Sequence, residues 1–323
     1  MSFIDLNQWL SKMFANPFKL KKLGILGMND RNINYIGKHN DRKNFPLVDN
    51  KLKTKKLAQK HGISVPKLLG YIQYQVEINH FEDYIENQSG FVIKPAQGSG
   101  GKGILVIVKR DKDKFIKPSG DALDYNDIKR HISNILSGLY SLGGRNDVAV
   151  FEKLVDFDDA FDGFSYEGVP DVRVIVYKGF PTLSMMRLST SNSDGKANLH
   201  QGAVGVGIDI KTGKALNAVQ FDRPIKFHPD TNKNLKELVV PFWDEILHLS
   251  ARCYEMTNMG YLGADIVIDK NLGPLVLELN ARPGLAIQIA NDIGALKRFS
   301  LIDSLKNSNK SLEEKIAFSK ENF

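Results

Sequence analysis

A chain of 323 residues, 42% hydrophobic and 25% charged, has an ordinary globular composition with enough apolar content for one large or two modest domains. Its single cysteine, Cys253, excludes an internal disulfide framework and agrees with a reducing compartment, so the cytoplasm is the expected location. The net charge of +7 is spread out. Its densest runs, Phe18 to Leu23 and Asn50 to Lys60, lack an aromatic-rich basic motif, so solvated helix faces or anionic substrates are expected rather than nucleic acid.

Taken in order, MSFIDLNQWLSKMF carries acid and polar residues where a signal peptide needs an apolar core, and reads as a short amphipathic helix. No run approaches the roughly 18 apolar residues of a membrane span. The rest of residues 1–50 reads as basic and loop-rich. A helix follows from about Asn50 to His61, ended by Gly62, and Pro66 opens the next strand. INHFEDYIEN reads as another helix, and GFVIK and GILVIVKR as two strands joined by a glycine-rich loop. The spacing of Ile128, Ile132, Ile135, Leu136 and Leu139 predicts a helix from Tyr125 to Leu142. Between Val148 and Leu188 the runs VAVFEKLV, DVRVIVYKG and PTLSMMRLS predict an antiparallel sheet. VPFWDEILHLSARCYEMT is a helix with Pro241 near its first turn, and Cys253 sits at one of its apolar positions as a core residue. ADIVID and PLVLELN pair as a hairpin, and the last twenty or so residues read as a polar, frayed tail. Antiparallel runs broken by helices argue for an α+β fold.

Two constellations carry chemistry. In the final hairpin, Glu278 and Asn280 lie two residues apart and share a face, which is costly on a buried strand unless something pairs with them. An edge strand with a wet polar face is the plain alternative. If Asp269 faces Pro274 across the loop Lys270 to Gly273, Asp265 falls opposite Glu278 at roughly 5 Å. Facing carboxylates favour a cation between them, and Asp265, Glu278 and Asn280 offer only oxygens, which suits Mg²⁺ or Mn²⁺. The second constellation is FVIKPAQGSGGKGILVI. Gly98, Ser99, Gly100, Gly101, Lys102 and Gly103 match a dinucleotide fingerprint only formally, because a strand follows rather than a helix. A phosphate-binding Walker loop would need Ser or Thr where Gly103 stands. A strand–glycine loop–strand flap instead covers nucleotide phosphates with backbone N–H groups, and Lys94 would reach the same phosphates. A flexible surface hairpin is the alternative, although its glycines would weaken it for no gain.

The chain lacks the His-Arg-Asp and Asp-Phe-Gly segments of protein kinases, which use a similar flap. From about Asn50 to Ala290 it resembles the ATP-grasp superfamily, and more closely the α-L-glutamate ligases that modify ribosomal protein tails, with the α-L-glutamate ligase-like branch beside them. The resemblance implies a short N-terminal extension (1–49), a catalytic domain (50–300) and a polar tail (301–323). Within the catalytic domain, a glycine-loop subdomain (about 90–155) and a metal-binding subdomain (about 156–300) would grip ATP between them. It implies Lys51 and Lys94 as ATP lysines, and Gly98, Ser99, Gly100, Gly101 and Gly103 as the phosphate flap. Glu152, Lys153 and Leu154 would face the adenine at a hinge. Asp171, Lys196 and Asn198 would contact nucleotide, and Arg187 would meet the transferring phosphate. Asp265, Glu278 and Asn280 would hold Mg²⁺, with two ions expected.

The family activity so implied is phosphorylation of a carboxylate by ATP, followed by attack of an amine on the acyl phosphate. Arg173, His200 and Arg282 are candidate substrate contacts, and Arg282 a candidate catalytic residue beside the metal strand. The expected partners are an amino acid and a peptide or small-molecule acceptor. Lys196 and Gln201 stand where the glutamate ligases carry arginines, so the amino acid stays open. The stretch before Lys51 is about half the length of the family's N-terminal domain, so the acceptor side would be rebuilt, or completed by another copy or a partner protein. Asp156 to Pro170 and about Gly207 to Val240 read as insertions. The competing reading is an assembly protein of ATP-grasp fold that binds ATP without ligating.

Overall fold

The computed structural model describes residues 17–98, 100–141, 143–305 and 310–323, and its β-branched runs form two main antiparallel sheets. The first contains β1 (Leu68–Ile72), β2 (Phe91–Pro95), β3 (Leu105–Ile107) and β4 (Ala149–Lys153), in the order β1-β4-β2-β3. The second contains β5 (Asp171–Tyr177), β6 (Phe180–Leu188), β7 (Val204–Ile208), β8 (Ala215–Gln220), β9 (Arg223–Ile225), β10 (Tyr261–Asp269) and β11 (Gly273–Asn280). Its order is β9-β8-β7-β6-β5-β10-β11. Three short strands, Lys109–Asp111, Lys114–Ile116 and Ala122–Leu123, make a small third sheet.

The three runs expected to share one sheet are divided: β4 leaves β5 and β6 and inserts between β1 and β2. Its alternation explains this. Phe151 packs with Ile93 and the helix residues Ile128, Ile132 and Ile135, whereas Val150 packs with Leu52 and Ala96. A strand apolar on both faces needs cover on both, and the centre of the first sheet supplies it.

The helix Lys51–Lys60 starts where the Asn50 side chain accepts the N–H of Lys53 at 3.0 Å, and Gly62 follows at a φ of +62°. Tyr125–Leu136 is shorter than its periodicity suggests: Gly138 turns left-handed at φ +82° and leaves Leu139 exposed. Gln75–Tyr84 is 3₁₀ rather than α, and the three-residue spacing of Ile78 and Phe81 brings both to the core. The helix Trp243–Thr257 begins after Phe242, whose φ of +54° separates it from Pro241. Cys253 is fully buried there. Burial pushes its thiol up to about 12.

Two expectations about the ends are corrected. From Pro17 to Asp49 the chain is mostly short helices, and Leu26, Tyr35 and Ile36 pack with Tyr177, Tyr261 and Phe299. The helix expected over residues 1–14 lies outside the described residues. The polar tail ends in a capped helix, Leu312–Asn322, where Ser311 and Glu314 form a capping box. Ile316 is buried, and Phe318 meets Phe180 edge to face at 5.5 Å. Its charged residues concealed an apolar stripe. The stretch 207–240 supplies β8 and β9, which widen the second sheet. Among the described residues no helix is long and apolar enough to cross a membrane.

On the face of the second sheet that bears Met185 and Val219, the short helix Ile287–Asn291 packs directly on β7. A Cβ at Gly207 would stand 2.2 Å from the Ala290 carbonyl oxygen, so only glycine permits this approach. We expect Gly207→Ala to cost about 1–3 kcal/mol by forcing that helix outward. Urea denaturation of the two proteins checks the figure.

Candidate functional site

Residues directly opposite on neighbouring strands share a face. Asp171 faces Arg187, Arg173 faces Asp265, and Asp265 faces Glu278, so one sheet surface carries all five. The last pairing arises differently from the simple hairpin. Asp269 pairs with Gly273, so the loop is one residue shorter than expected. The register then slips between Ile266 and Asp265, with Leu277 as the extra residue, and this bulge restores the Asp265–Glu278 pairing.

The acids and guanidiniums interlock. Arg187 grips Asp171 through Nε and Nη2, both at 2.5 Å, and its Nη2 also lies 2.8 Å from Asp265. Arg173 holds Asp265 by Nε at 2.7 Å and Nη2 at 2.6 Å, while Asn280 donates to the same carboxylate at 3.0 Å. Two charges of each sign therefore balance in a patch where Asp171 and Asp265 are buried. Burial acts to raise Asp265, but the two arginines outweigh it and hold the carboxyl down at about 2. For Asp171 burial wins over Arg187 and moves the group upward. Burial also acts against the charged form of Arg187, yet the two acids keep its pKa raised.

A lysine cluster lies beside this surface. Lys51, in the first turn of its helix, donates to the Gly98 carbonyl at 2.7 Å and sits 3.4 Å from the Glu278 carboxylate. It thereby ties the glycine loop to the second sheet. Lys94 pairs with Glu152 at 2.8 Å, and Lys55 approaches the other oxygen of Glu152 at 3.1 Å. Lys55 was not singled out in the sequence, although it follows Lys51 by four residues on the same helix face. Burial pulls it down to about 8 despite Glu152. Glu152, expected beside adenine, has its carboxylate enclosed by two lysines. Lys153 is exposed and Leu154 half-buried.

In the loop itself, Gly100, Gly101 and Gly103 have φ values of +63°, +75° and +76°. Gly103 is further required by Tyr140, whose ring would stand 2.5 Å from a Cβ. Ser99 lies outside the described residues. The structure does not gather the other candidates into the arginine–aspartate patch. Arg282 stacks on Phe45 at 4.6 Å and lies 3.6 Å from Asp49. Lys196 pairs with Asp194, Asn198 accepts the N–H of His200, and His200 is exposed.

Among the described residues no three His, Cys, Asp or Glu side chains form a group that could hold a metal ion. Asp265 is committed to arginines. Glu278 Oε2 and Asn280 Oδ1 accept nothing from described groups, and they are hard donors of the kind that hold Mg²⁺ when substrate phosphates complete its shell.

The family model for sugar-transfer associated ATP-grasp proteins matches residues 30–304. The chain belongs to this family. That places it in the ATP-grasp superfamily, with the ATP-grasp fold, whereas its link to glutamate ligases is looser. A probable tubulin polyglutamylase of Caenorhabditis elegans, ttll-9, is 24% identical over 278 residues, covering 78% of this chain and 61% of the relative. The chain thus spans less than two thirds of that relative's length. Among solved structures, the ATP-grasp ligase PsnB complexed with a minimal precursor is 16% identical with a TM-score of 0.46, covering 84% of this chain and 63% of that one. The D-alanine–D-alanine ligase of Bacillus anthracis is 13% identical with a TM-score of 0.44, covering 87% and 71%.

Two expectations follow from the electrostatics of this ATP-grasp chain. Removing Arg187 leaves two buried acids to one arginine, so Arg187→Ala should cost about 3–5 kcal/mol in urea denaturation, more than a cleft residue in open water would. For Lys55, the unfolded lysine holds its proton to about 10.5 and the folded one to about 8. The unfolded state therefore binds more protons across that window, and this group's contribution to stability increases as pH rises through it. Lys55→Met should flatten that increase in denaturation curves taken across the window.

Proposed function

We propose that the chain is an ATP-dependent carboxylate–amine ligase. The observation that carries this reading is the bridge made by Lys51, which joins the glycine loop at Gly98 to Glu278 beside Arg173 and Arg187. On this reading the glycine-loop backbone, Lys51, Lys94 and the pair Arg173 and Arg187 would meet the phosphates between the two sheets. The nematode relative's name, that of a polyglutamylase, supports an amino acid as one substrate and a peptide or small molecule as the other.

In the reaction, a substrate carboxylate oxygen attacks the γ-phosphorus of ATP, the bond to the bridging oxygen breaks, and ADP leaves. A neutral amine then attacks the acyl phosphate carbon, phosphate departs with the bonding pair, and the amine loses a proton. Lys51 and Lys94 bind and orient the phosphates, and the flap of Gly98, Gly100, Gly101 and Gly103 excludes water from them. Arg187 offsets charge on the transferring phosphoryl group, where a preorganised cation acts most strongly. Glu278 and Asn280 would hold Mg²⁺, which supplies further neutralisation of the phosphates when bound. Asp265 enters as a third oxygen only when Arg173 and Arg187 give way. That requirement is the specific reason to keep the alternative of an assembly protein that binds ATP without ligating.

Glu278→Gln should leave the fold intact, weaken ATP binding only in part and abolish Mg²⁺-dependent ADP release. Equal activity would remove the metal assignment. ADP release from the wild type, screened across amino acids and acceptors, separates ligase from assembly protein: none at all, with tight ATP binding, favours the latter. Because nucleotide phosphates compete with the Gly98 carbonyl for Lys51, ATP–Mg²⁺ should also change the rate of proteolysis at residues 97–103. Identical rates with and without nucleotide would count against the flap.

A further inference from the structure

The middle of the glycine loop touches little, so its position must come from its ends. A Cβ built at Gly100 or Gly101 would find nothing within 4 Å, and Lys102 is exposed. Both ends, by contrast, are held from one stretch of chain, which runs from His131 in the helix Tyr125–Leu136 to Asp147 just before β4.

At the entry, Asp147 is buried, and its two carboxylate oxygens share the Gln97 N–H at 3.1 and 3.0 Å. Ser141 Oγ donates to the same carboxylate, and so does the Val148 N–H at 2.8 Å. Ser141 is itself bridged antiparallel to Gly98. These partners are neutral donors rather than a cation, so burying this carboxylate is costly unless they stay in place. The preceding peptide is fixed as well, because the Ala96 N–H donates to the Val148 carbonyl at 2.9 Å. Gln97 and Gly98 are thereby tied to the approach of a central strand, and the Gly98 carbonyl is set where Lys51 meets it. At the exit, the Gly103 carbonyl lies 3.1 Å from His131 Nε2. A carbonyl only accepts, so Nε2 carries the proton. The imidazole packs against Tyr140 at 5.7 Å between ring centres, and the Tyr140 ring closes on Gly103.

We infer that Asp147 and His131 are positioning residues for the glycine loop, holding its two ends so that the backbone N–H groups between them are preset for nucleotide phosphates. The inference rests on the phosphate-flap reading above. Neither side chain is placed against the phosphates, and each acts through the peptide it grips. Glycine has the most backbone freedom to lose, so an unanchored loop would give up that freedom when nucleotide binds and weaken the binding. Anchoring both ends moves that loss into folding, and the affinity for nucleotide then depends on the anchors.

The test uses the full chain, a non-hydrolysable ATP analogue with Mg²⁺, and trypsin. In calorimetry Asp147→Ala should weaken the analogue about tenfold or more, on the scale of losing a hydrogen bond to a charged group. Without nucleotide it should speed cleavage after Lys102, while cleavage after Arg130, exposed on the neighbouring helix, keeps its rate. Asp147→Asn should bring analogue binding back to within about threefold of the wild type, because its amide oxygen accepts the Gln97 N–H and its nitrogen donates to Ser141. His131→Phe keeps a ring against Tyr140 and removes the donor, so it should weaken the analogue several-fold from the other end of the loop. It also tests the inference if Asp147→Ala does not fold. Unchanged analogue binding in either variant would overturn the inference, and so would cleavage of Asp147→Ala that rises equally after Arg130, which marks general loosening. Failure of Asp147→Asn to restore binding would overturn the part assigned to Asp147. No binding of the analogue by the wild type would remove the nucleotide reading, and this inference with it.

Discussion

The arrangement of the second sheet depends on one electrostatic constraint: Asp171 and Asp265 are buried on its central strands and must be neutralised there. Water cannot do it, and a single arginine would leave one charge over. Arg187 spans both acids while Arg173 takes Asp265 from the other side, so the patch reaches balance only when β5, β6 and β10 are in register. A slip of one residue on any of them would turn a charge to the opposite face, where the core holds Val172, Met186 and Ala264. The network therefore fixes the register of the strands that would carry the chemistry.

The same constraint complicates the functional assignment of Arg187 and Asp265. Read from a motif, one is a free phosphate-binding cation and the other a metal ligand. In the folded chain each satisfies the other. A nucleotide with its cation would have to exchange partners with this network. Such an exchange costs less than it would with water as the only alternative, because a released arginine finds the incoming phosphates and a released aspartate finds the accompanying cation. Positions of this kind are where local stability and function pull against each other.

Much of this was legible in the sequence because it is local. Asn50 and Gly62 bound their helix by capping chemistry, the strand–glycine loop–strand pattern survives in β2, the loop and β3, and the order of motifs leads to the ATP-grasp family. The opposition of Asp265 and Glu278 was also reached, though through a loop one residue too long; the bulge at Leu277 cancels the error, and nothing in PLVLELN announces a bulge. What stayed hidden is tertiary. The transfer of β4 to the first sheet depends on which faces are covered, and the helix Leu312–Asn322 on apolar residues interleaved with charge. Lys55 becomes notable only when Glu152 is found against it. A cavity near Leu199 joins segments from three parts of the chain, which no window of sequence contains.

Lys51 shows how these levels meet. Its position is set by a helix cap, a local matter, yet its ammonium bridges a carbonyl on the glycine loop and a carboxylate on β11. The ion pair to Glu278 at 3.4 Å is loose, and an exposed partner makes such a pair weak. The hydrogen bond to Gly98 is the shorter contact, but a neutral carbonyl is a poor competitor for a lysine once phosphate is present. A side chain held by two replaceable partners, one on the glycine loop and one on β11, can be recruited without unfolding anything. The buried arginine–aspartate patch, by contrast, is held by partners that cannot be lost cheaply. On the ligase reading proposed above, the first would be recruited readily by incoming phosphates, whereas the second would yield a partner only to a group that replaces its charge.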